Sequence, residues 1–252
     1  MILYLNNRND DDIHLQMLEQ LSQTKLNIRD QREEVKDLSE YDLVLSFGYR
    51  HIIPYKVLRT AKRPPINIHI SYLPFNRGAH PNFWAHYDGT PHGVTIHEID
   101  RGIDTGDIIC QKEVKFAPHE ITFEATYKRL QQEAVELFAS HKEEIINGTY
   151  TAKPQTHRGS SHLKADLPKD FGGWMFNINK ELQRLENIRR IKLNKKLDLI
   201  DQIEQVRSRN NVNWMDILRV AFIHAPEEAA QIMGRINQDD GEISKLLKKL
   251  AE

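Results

Sequence analysis

The sequence predicts an α/β fold: a mostly parallel sheet, followed by a small helical C-terminal region. Short apolar runs at Ile2–Leu5 and residues 42–49 are typical of buried parallel strands, and a helical segment follows each run. Residues 66–70 alternate apolar and polar side chains, which indicates a strand with one buried face. The stretch after Asn177 is rich in charge and helical in pattern, and it predicts the C-terminal region.

The first helix is expected directly after the polar cluster at residues 9–12, whose side chains can cap its N-terminus. No glycine precedes Gly48, although many doubly wound folds bind a dinucleotide phosphate with a glycine-rich first turn. We therefore expect no dinucleotide at that turn. The apolar stripe of this helix is Ile13, Met17, Leu18 and Leu21.

Two further strands and two further helices complete the predicted α/β domain. Residues 94–99 and 108–116 have the composition of strands. Pro81 suits the first turn of a short helix before them. Thr122 can cap a long helix that closes near Gly148. Its predicted apolar stripe is Phe123, Tyr127, Leu130, Ala134, Leu137 and Phe138.

The composition changes after Tyr150, and we place a domain boundary after residue 152. Residues 1–152 are predicted to form the α/β domain, and residues 153–252 a polar linker and the helical C-terminal region. These helices carry more apolar surface than they can bury among themselves, so we expect them to associate with a second copy of the chain. Docking on the α/β domain is the alternative. The apolar residues concerned are Trp214, Leu218, Phe222, Ile243, Leu247 and Leu250.

The bulk composition argues against several classes of protein. Lys plus Arg number 35 and Asp plus Glu 36, a net charge of -1, so no global field attracts nucleic acid or an anionic membrane. The one cysteine, Cys110, excludes an intramolecular disulfide and a cysteine-rich zinc site. Residues 1–5 are too short for a signal peptide, and no apolar run approaches the roughly twenty residues of a spanning helix. We expect a soluble cytoplasmic protein.

Three polar residues form a candidate acyl-transfer site. Asn67 and His69 lie two residues apart, on the same face of the predicted strand, at the end where open α/β sheets place ligands. Asp104 lies in a Gly- and Asp-rich loop between the next two strands. Together they supply an amide, an imidazole and a carboxylate. Singly, each has an ordinary explanation, because a strand histidine is more often structural and an aspartate before Thr-Gly more often forms a turn.

The residues around these three form a longer pattern. It is Asn67-x-His69-x-Ser71-x-Leu73-Pro74, then Arg77-Gly78, Pro81, Trp84, Gly89, Gly93-Val94-Thr95-x-His97 and Asp104-x-Gly106-x-Ile108. This pattern resembles the folate-dependent formyltransferases, which include methionyl-tRNA formyltransferase, phosphoribosylglycinamide formyltransferase and the sugar N-formyltransferases. The resemblance runs from about residue 42 to about residue 148. It implies a Rossmann-like formyltransferase domain with 10-formyltetrahydrofolate as co-substrate and no metal.

The resemblance also implies a role for each residue. Asn67 stabilises the oxyanion, His69 is a donor or acid, and Asp104 orients the histidine and accepts the amine proton. His97 and Asp107 are given structural roles. The backbone after the second apolar run is expected to hold the pterin ring, with core packing as the simpler explanation for the apolar side chains there. The candidate folate-binding residues are Phe47, Gly48, Tyr49, Ile52, Ile53, Arg101, Gly102 and Ile103.

The predicted acceptor is an amino sugar carried on a nucleotide, used for surface polysaccharide or glycan biosynthesis. A tRNA enzyme of this family usually has a basic, β-rich C-terminal domain, and the glycinamide enzyme lacks so long a tail. Four residues are candidate substrate contacts: Arg77 as a charge pair, Gly78 as a close backbone approach, His80 as a polar contact and Trp84 as a stacking face. Trp84 as core and Arg77 as a surface loop residue is an equally simple explanation.

Three alternatives stay open. The acceptor could be methionyl-tRNA or glycinamide ribonucleotide. A non-catalytic sugar- or folate-binding relative would be expected to lose one of the three anchors, and all three are present. A metal-dependent hydrolase is also conceivable, although no histidine pair has H-E-x-x-H spacing. Its candidate ligands would be His69, His80, His86, His92, His97 and Asp104.

Overall fold

The computed structural model describes residues 1–7, 11–24 and 26–251, with side chains left out at residues 11, 203–204, 207–213 and 239–251. It divides into two compact units, Met1–Glu186 and Asn187–Glu252. Most of the predicted cap at residues 9–12 lies outside the described residues. So do the side chains of Ile243, Leu247 and Leu250, for which helix association was predicted.

The described elements follow in chain order. The strands are β1 (Ile2–Leu5), β2 (Ile28–Gln31), β3 (Leu43–Phe47), β4 (Ile66–His69), β5 (Arg77–Gly78), β6 (Gly93–Glu98), β7 (Ile108–Glu113) and β8 (Ser161–His162). The helices are α1 (Asp11–Ser22), α2 (Tyr55–Leu58), α3 (Pro81–Asp88), α4 (Phe123–Asn147), α5 (Ile178–His224) and α6 (Pro226–Ala251). A 3-10 turn covers Lys164–Asp166.

Six of these strands form one sheet in the order β2-β1-β3-β4-β6-β7. The strands β2, β1, β3 and β4 are parallel, β6 runs antiparallel to β4, and β7 runs antiparallel to β6. Five of the six strands therefore point the same way. The predicted mostly parallel α/β sheet and the helical C-terminal region are confirmed.

The two faces of β4 have different neighbours. Ile66 and Ile68 belong to the core that α1 and α4 form with one face of the sheet. Because side chains alternate along a strand, Asn67 and His69 emerge on the opposite face. Val94 and Ile96 of β6 join the same core, so the polar side chains of that strand also face away from α4. The alternation read from the sequence thus places the polar side chains of β4 and β6 on one surface.

The long helix α4 begins and ends where the sequence predicts. The Thr122 side chain accepts a hydrogen bond from the Ala125 N–H at 3.1 Å, which caps the N-terminus. Gly148 ends the helix in the left-handed conformation, at a φ of 68°. Of the predicted apolar stripe, Tyr127 is exposed, and the other members are buried.

A second, small sheet joins the chain after residue 152 to the first unit. Strand β8 pairs in parallel with β5, so that Gly78 lies opposite His162. The start of α5 also belongs to the first unit, because Ile178 and Leu185 are part of the buried cluster around Phe83. The compact first unit therefore extends to Glu186, past the boundary that composition alone suggests.

The second unit consists of the rest of α5 and α6. Within the part of the chain that the structure describes, no helix combines the length and the apolar character needed to cross a membrane. Large apolar side chains are nevertheless exposed along α5, namely Trp214, Met215, Ile217, Val220, Phe222 and Ile223.

A histidine pair connects the end of α3 with the start of β6. The His92 Nε2 atom lies 3.0 Å from the His86 Nδ1 atom, and the two rings pack edge to face. Burial, together with the neighbouring His92, lowers the pKa of His86 to about 3. Burial also lowers the pKa of His92. The folded protein therefore favours the neutral form of the pair.

We predict that acid destabilises the fold through this pair. A histidine whose pKa is lowered on folding contributes its full stability above about pH 6.5, and this contribution is lost as the pH falls. His86→Asn keeps an acceptor near the Nδ1 position. It should reduce the dependence of the free energy of unfolding on pH by up to about 1.4 kcal/mol per pH unit below pH 6.5.

Urea titrations between about pH 7.5 and about pH 5 measure this slope. The same substitution at the exposed His119 is the matched control. Equal slopes for the parent protein and His86→Asn would contradict the prediction.

Candidate active site

Strand β4 and the loop between β6 and β7 bring together the three residues that the sequence singles out. The Asn67 Nδ2 atom lies 3.2 Å from Asp104 Oδ1. The His69 Nδ1 atom lies 3.7 Å from Asp104 Oδ2. Amide, imidazole and carboxylate thus converge on the sheet face opposite α4.

Asp104 is a carboxylate held by several donors in a site that largely excludes water. Its side chain is 13% exposed, and Oδ2 accepts a hydrogen bond from the Gly78 N–H at 2.8 Å. Burial alone would raise the pKa of this carboxyl. The neighbouring His69, the hydrogen bond with His97 and the Gly78 N–H outweigh burial, so the pKa of Asp104 is lowered. The group is therefore ionised at neutral pH.

His69 is buried, and its two ring nitrogens face different groups. The Nε2 atom lies 3.1 Å from the carbonyl oxygen of Asn76, to which an Nε2–H donates. The Nδ1 atom faces Asp104, and its 3.7 Å separation is longer than a hydrogen bond. A proton on Nδ1 can therefore be shared with a substrate atom.

His97 completes this polar cluster. Sequence reasoning gives it a structural role, and its Nδ1 atom does hydrogen-bond at the end of β6, 2.7 Å from the Glu98 carbonyl oxygen. Its Nε2 atom also lies 3.2 Å from Asn67 Nδ2 and 3.5 Å from Asp104 Oδ1. The Nδ2 atom of Asn67 thus lies 3.2 Å from two protein atoms, Asp104 Oδ1 and His97 Nε2. To stabilise an oxyanion, Asn67 must exchange one of these neighbours for substrate.

The predicted folate-binding residues lie in two loops, one after β3 and one that carries Asp104. The Arg101 guanidinium lies over the ring of Tyr55, 4.5 Å from its centre, and so joins the first loop and α2 to the second. Near this contact, Ile52 is 79% exposed and Ile103 is 49% exposed. Core packing therefore does not account for Ile52. Sequence reasoning missed Tyr55, which carries no signal beyond its aromatic ring.

The other folate candidates have contacts within the protein. Phe47 is buried, as the simpler explanation held, and Ile53 is half-buried against the core. The Tyr49 hydroxyl donates to the Glu33 carbonyl oxygen at 2.6 Å. Gly48 has a φ of 69°, which suits glycine at the turn after β3. The Gly102 N–H donates to an Asp100 side chain at 2.9 Å.

The predicted substrate contacts Arg77 and Trp84 have partners in the segment after residue 152. Arg77 donates to Gln155 Oε1 at 3.0 and 2.6 Å and to the Arg158 carbonyl oxygen at 3.1 Å. Trp84 is 7% exposed and stacks on His162 with ring centres 3.9 Å apart. Trp84 thus belongs to the core, as its simpler explanation held, and Arg77 anchors the loop that follows Pro74.

Gly78 and His80 lie next to this contact. A Cβ atom at Gly78 would lie 2.4 Å from the His162 carbonyl oxygen, so the glycine permits close approach of β8. The His80 ring lies 5.3 Å from that of Trp174. Burial, with a smaller effect from Lys164, lowers the pKa of His80. At neutral pH, His80 is therefore a neutral polar group.

A cavity of about 900 Å³ lies at the β7 edge of the sheet. Its lining comes from residues 72–75, the first part of β7, the end of α4 and residues 149–157. The lining includes Gln155 but none of the four residues Asn67, His69, Asp104 and His97. The cavity therefore adjoins the polar cluster, and the chemistry of the side chains, rather than the size of the cavity, identifies the candidate active site.

The histidines considered for a metal site are dispersed. His86 pairs with His92, whereas His69 and His97 belong to the cluster around Asp104. Among the residues that the structure describes, no group of three or more His, Cys, Asp or Glu side chains is placed to hold a metal ion.

Comparison with known proteins defines the class of protein. Residues 5–141 match the family model described as formyl transferase. This match covers more than half of the 252 residues. The chain therefore belongs to the formyl transferase family, as its sequence pattern predicts.

Three proteins illustrate the similarity. The chain is 37% identical over 139 residues to dTDP-4-amino-4,6-dideoxyglucose formyltransferase of Mycobacterium tuberculosis, covering 55% of this chain and 58% of that protein. It is 34% identical over 155 residues to methionyl-tRNA formyltransferase of Lachnospira eligens, covering 60% and 49%. The matches thus span 58% or less of these two curated relatives.

The third is a crystal structure of the formyltransferase PseJ from Anoxybacillus kamchatkensis. Its complex contains UDP-4,6-dideoxy-4-formamido-L-AltNAc and tetrahydrofolate. The TM-score is 0.63 at 34% identity, and the match covers 71% of this chain and 96% of PseJ. This similarity extends the family assignment to the fold.

We predict that Gly78→Ala disturbs the site more than an alanine at another left-handed glycine. Its Cβ would collide with the His162 carbonyl oxygen, so the Gly78 N–H should move away from Asp104. The pKa of Asp104 should then rise towards its ordinary value, and the melting temperature should fall. Carbon NMR titration of the carboxyl and thermal unfolding measure the two effects.

Gly89→Ala is the matched control, because Gly89 has a φ of 64° but nothing within 4 Å of an added Cβ. It should show only the cost of the left-handed backbone, roughly 1–2 kcal/mol. Equal effects of the two substitutions would count against the role of the Gly78 contact.

Proposed function

We propose that this protein transfers a formyl group from 10-formyltetrahydrofolate to the amine of a nucleotide-linked amino sugar. The observation that carries the proposal is the convergence of Asn67, His69 and Asp104 in a formyl transferase domain. The similarity to PseJ supports the substrate class, because its crystal structure contains a UDP-linked formamido sugar and tetrahydrofolate. The product would serve glycan biosynthesis in the cytoplasm.

Transfer to an amine requires a neutral amine, a stabilised formyl oxygen and an acceptor for the departing proton. The Nδ1 atom of His69 lies next to the Asp104 carboxylate, and its N–H is the donor assigned to the formyl oxygen. Asn67 supplies a second, neutral N–H when it releases a protein acceptor. Asp104 balances the charge on His69 and can take the amine proton, directly or through water.

The loops after β3 and before β7 are the proposed site of the folate. When bound, 10-formyltetrahydrofolate would supply the activated formyl group; as the acceptor nitrogen bonds to the formyl carbon, the bond from N10 would break and tetrahydrofolate would leave with a proton on N10. Ile52 and Ile103 offer exposed apolar side chains to a flat ring, and the Arg101–Tyr55 contact holds the two loops together. Arg101 also provides a positive charge for the carboxylates of a folate. These side chains fit the co-substrate.

The acceptor is proposed to bind beside the polar cluster, on the side of Gly78 and His80. The domain proposed to carry the reaction is residues 1–152, completed by contacts from the chain after it. The net charge of -1 gives no general attraction for tRNA, which favours a small acceptor. Methionyl-tRNA and glycinamide ribonucleotide are the competing acceptors for an assay panel.

We predict that His69→Ala nearly abolishes formyl transfer while folate binding stays largely intact. The imidazole is assigned to charge that develops only in the transition state, so its loss should lower kcat. Removing one such donor costs about 2.7–4 kcal/mol, or roughly a hundred- to thousandfold in rate. Turnover with a panel of nucleotide-linked amino sugars, alongside a folate titration, measures both quantities.

Asn67→Ala should cost a similar amount, and Asp104→Asn somewhat more if the carboxylate also takes the proton. Because the residues act as a unit, His69→Ala combined with Asp104→Asn should cost far less than the product of the two single effects. Near-normal turnover of His69→Ala, with an acceptor that the parent protein uses well, would overturn the assignment.

We also propose that the second unit joins two copies of the chain. Ile217 and Val220 lie three residues apart on α5, and their side chains are 58% and 57% exposed. The predicted contact residues Trp214 and Phe222 are exposed to a similar degree. Leu218 is half-buried. Apolar rows of this kind are typical of helices that pack against a partner.

We predict that Ile217→Glu with Val220→Glu converts a dimer into a monomer, because the dimer would bury unpaired charge. Light scattering at high micromolar concentration measures the molar mass. Asn194→Glu with Gln202→Glu adds the same charge at exposed polar positions and is the matched control. A parent protein that stays monomeric would rule out stable association.

A further inference from the structure

The side chain of Gln155 connects Arg77 with the loop that carries Asp104. Its Nε2 atom donates to the carbonyl oxygens of Asp104 and Gly106, at 2.9 and 2.8 Å. Its Oε1 atom accepts from the Nε and Nη2 atoms of Arg77, at 3.0 and 2.6 Å. An amide has two N–H donors and one oxygen, so the whole side chain is engaged within the protein.

We propose that Gln155 is a positioning residue that holds Asp104 in its working geometry. The inference rests on the proposed function, in which Asp104 is catalytic. Asp104 has a φ of 53°, a left-handed conformation that is uncommon in residues other than glycine and costs free energy that surrounding contacts offset. The Gln155 amide binds the carbonyl of this residue and the one two positions later. It therefore fixes the backbone from which the carboxylate projects.

The same segment also supports His69, through Asn76. The Asn76 N–H donates to Ser160 Oγ at 2.9 Å, and Ser160 Oγ donates to Asn76 Oδ1 at 3.1 Å. The carbonyl of Asn76 accepts the His69 Nε2 proton. Residues 155–160 thus contact the supports of both the carboxylate and the imidazole. Of these contacts, the Gln155 amide is the direct one to a catalytic residue.

Two variants separate the hydrogen bonds of the Gln155 oxygen from those of its nitrogen. Gln155→Ala removes both sets of bonds. Gln155→Glu keeps an acceptor for Arg77 but removes the N–H donors for the carbonyls of Asp104 and Gly106. Because misplacing a reacting group by about 1 Å costs on the order of a hundredfold in rate, both variants should lose about tenfold to a hundredfold in kcat. KM for the acceptor should change by less than about threefold.

The matched control is Gln132→Ala. Among the residues that the structure describes, its amide hydrogen-bonds only to Glu136 on the same helix. This variant should keep parental kcat. Turnover of Gln155→Glu equal to the parent's would overturn the inference, because the donated bonds would then be dispensable.

A double-mutant cycle distinguishes positioning of Asp104 from a general structural role. If Gln155 acts through Asp104, adding Gln155→Ala to Asp104→Asn should lower kcat by less than about threefold. A loss as large as the one in the parent background would overturn the inference. Thermal unfolding of each variant shows whether the fold is retained.

Hydrogen exchange supplies a readout that needs no activity. The amides of residues 100–107 should exchange faster in Gln155→Ala and Gln155→Glu than in the parent or Gln132→Ala. Exchange in this loop equal to the parent's overturns the inference, even before an acceptor has been found. Failure of the parent protein to transfer formyl groups would instead count against the proposed function alone.

Discussion

The structure of the site depends on the burial of one carboxylate, that of Asp104. An ion removed from water costs several kcal/mol unless polar partners replace its hydration. Those partners come from distant parts of the chain: Asn67 on β4, His97 on β6, and the Gly78 N–H on β5. The observed strand order, with Asn67 opposite His97 in the register of β4 and β6, brings these partners together. Fold and site are therefore stabilised by the same contacts.

The lowered pKa of Asp104 bears on its two assigned roles. A general base works best when its pKa lies near the operating pH, and a carboxylate with a lowered pKa is a weak base. Balancing the charge of His69, by contrast, requires a carboxylate that stays ionised. The electrostatics thus favour the orienting role over direct proton transfer. Fixed charges that need no rearrangement during reaction are also the usual source of large rate effects.

Features that depend on local pattern could be predicted from the sequence. The apolar runs predicted β1 and β3, alternation placed Asn67 and His69 on one face, and Thr122 capped α4 as expected. Strand β2, Ile28–Gln31, escaped prediction because an edge strand with the sequence IRDQ has no apolar run. The contacts of His97 with the site also escaped, since they arise from antiparallel pairing of β6 with β4.

The contacts that the chain after residue 152 makes with β5 and α3 could not be predicted either, and they change the interpretation of how the acceptor binds. The composition of this part of the chain predicts a polar linker. Strands of two residues and side-chain hydrogen bonds produce no periodic pattern in the sequence, so they could not be predicted from it. Arg77 and Trp84 bind Gln155 and His162, so their charge and ring already have partners. The proposed nucleotide-sugar acceptor would have to displace these contacts or use other groups. Displacing Arg77 would remove the partner of Gln155 Oε1, and the Nε2 atom of the same amide binds the Asp104 carbonyl. Recognition by other groups would therefore leave the proposed catalytic geometry unchanged.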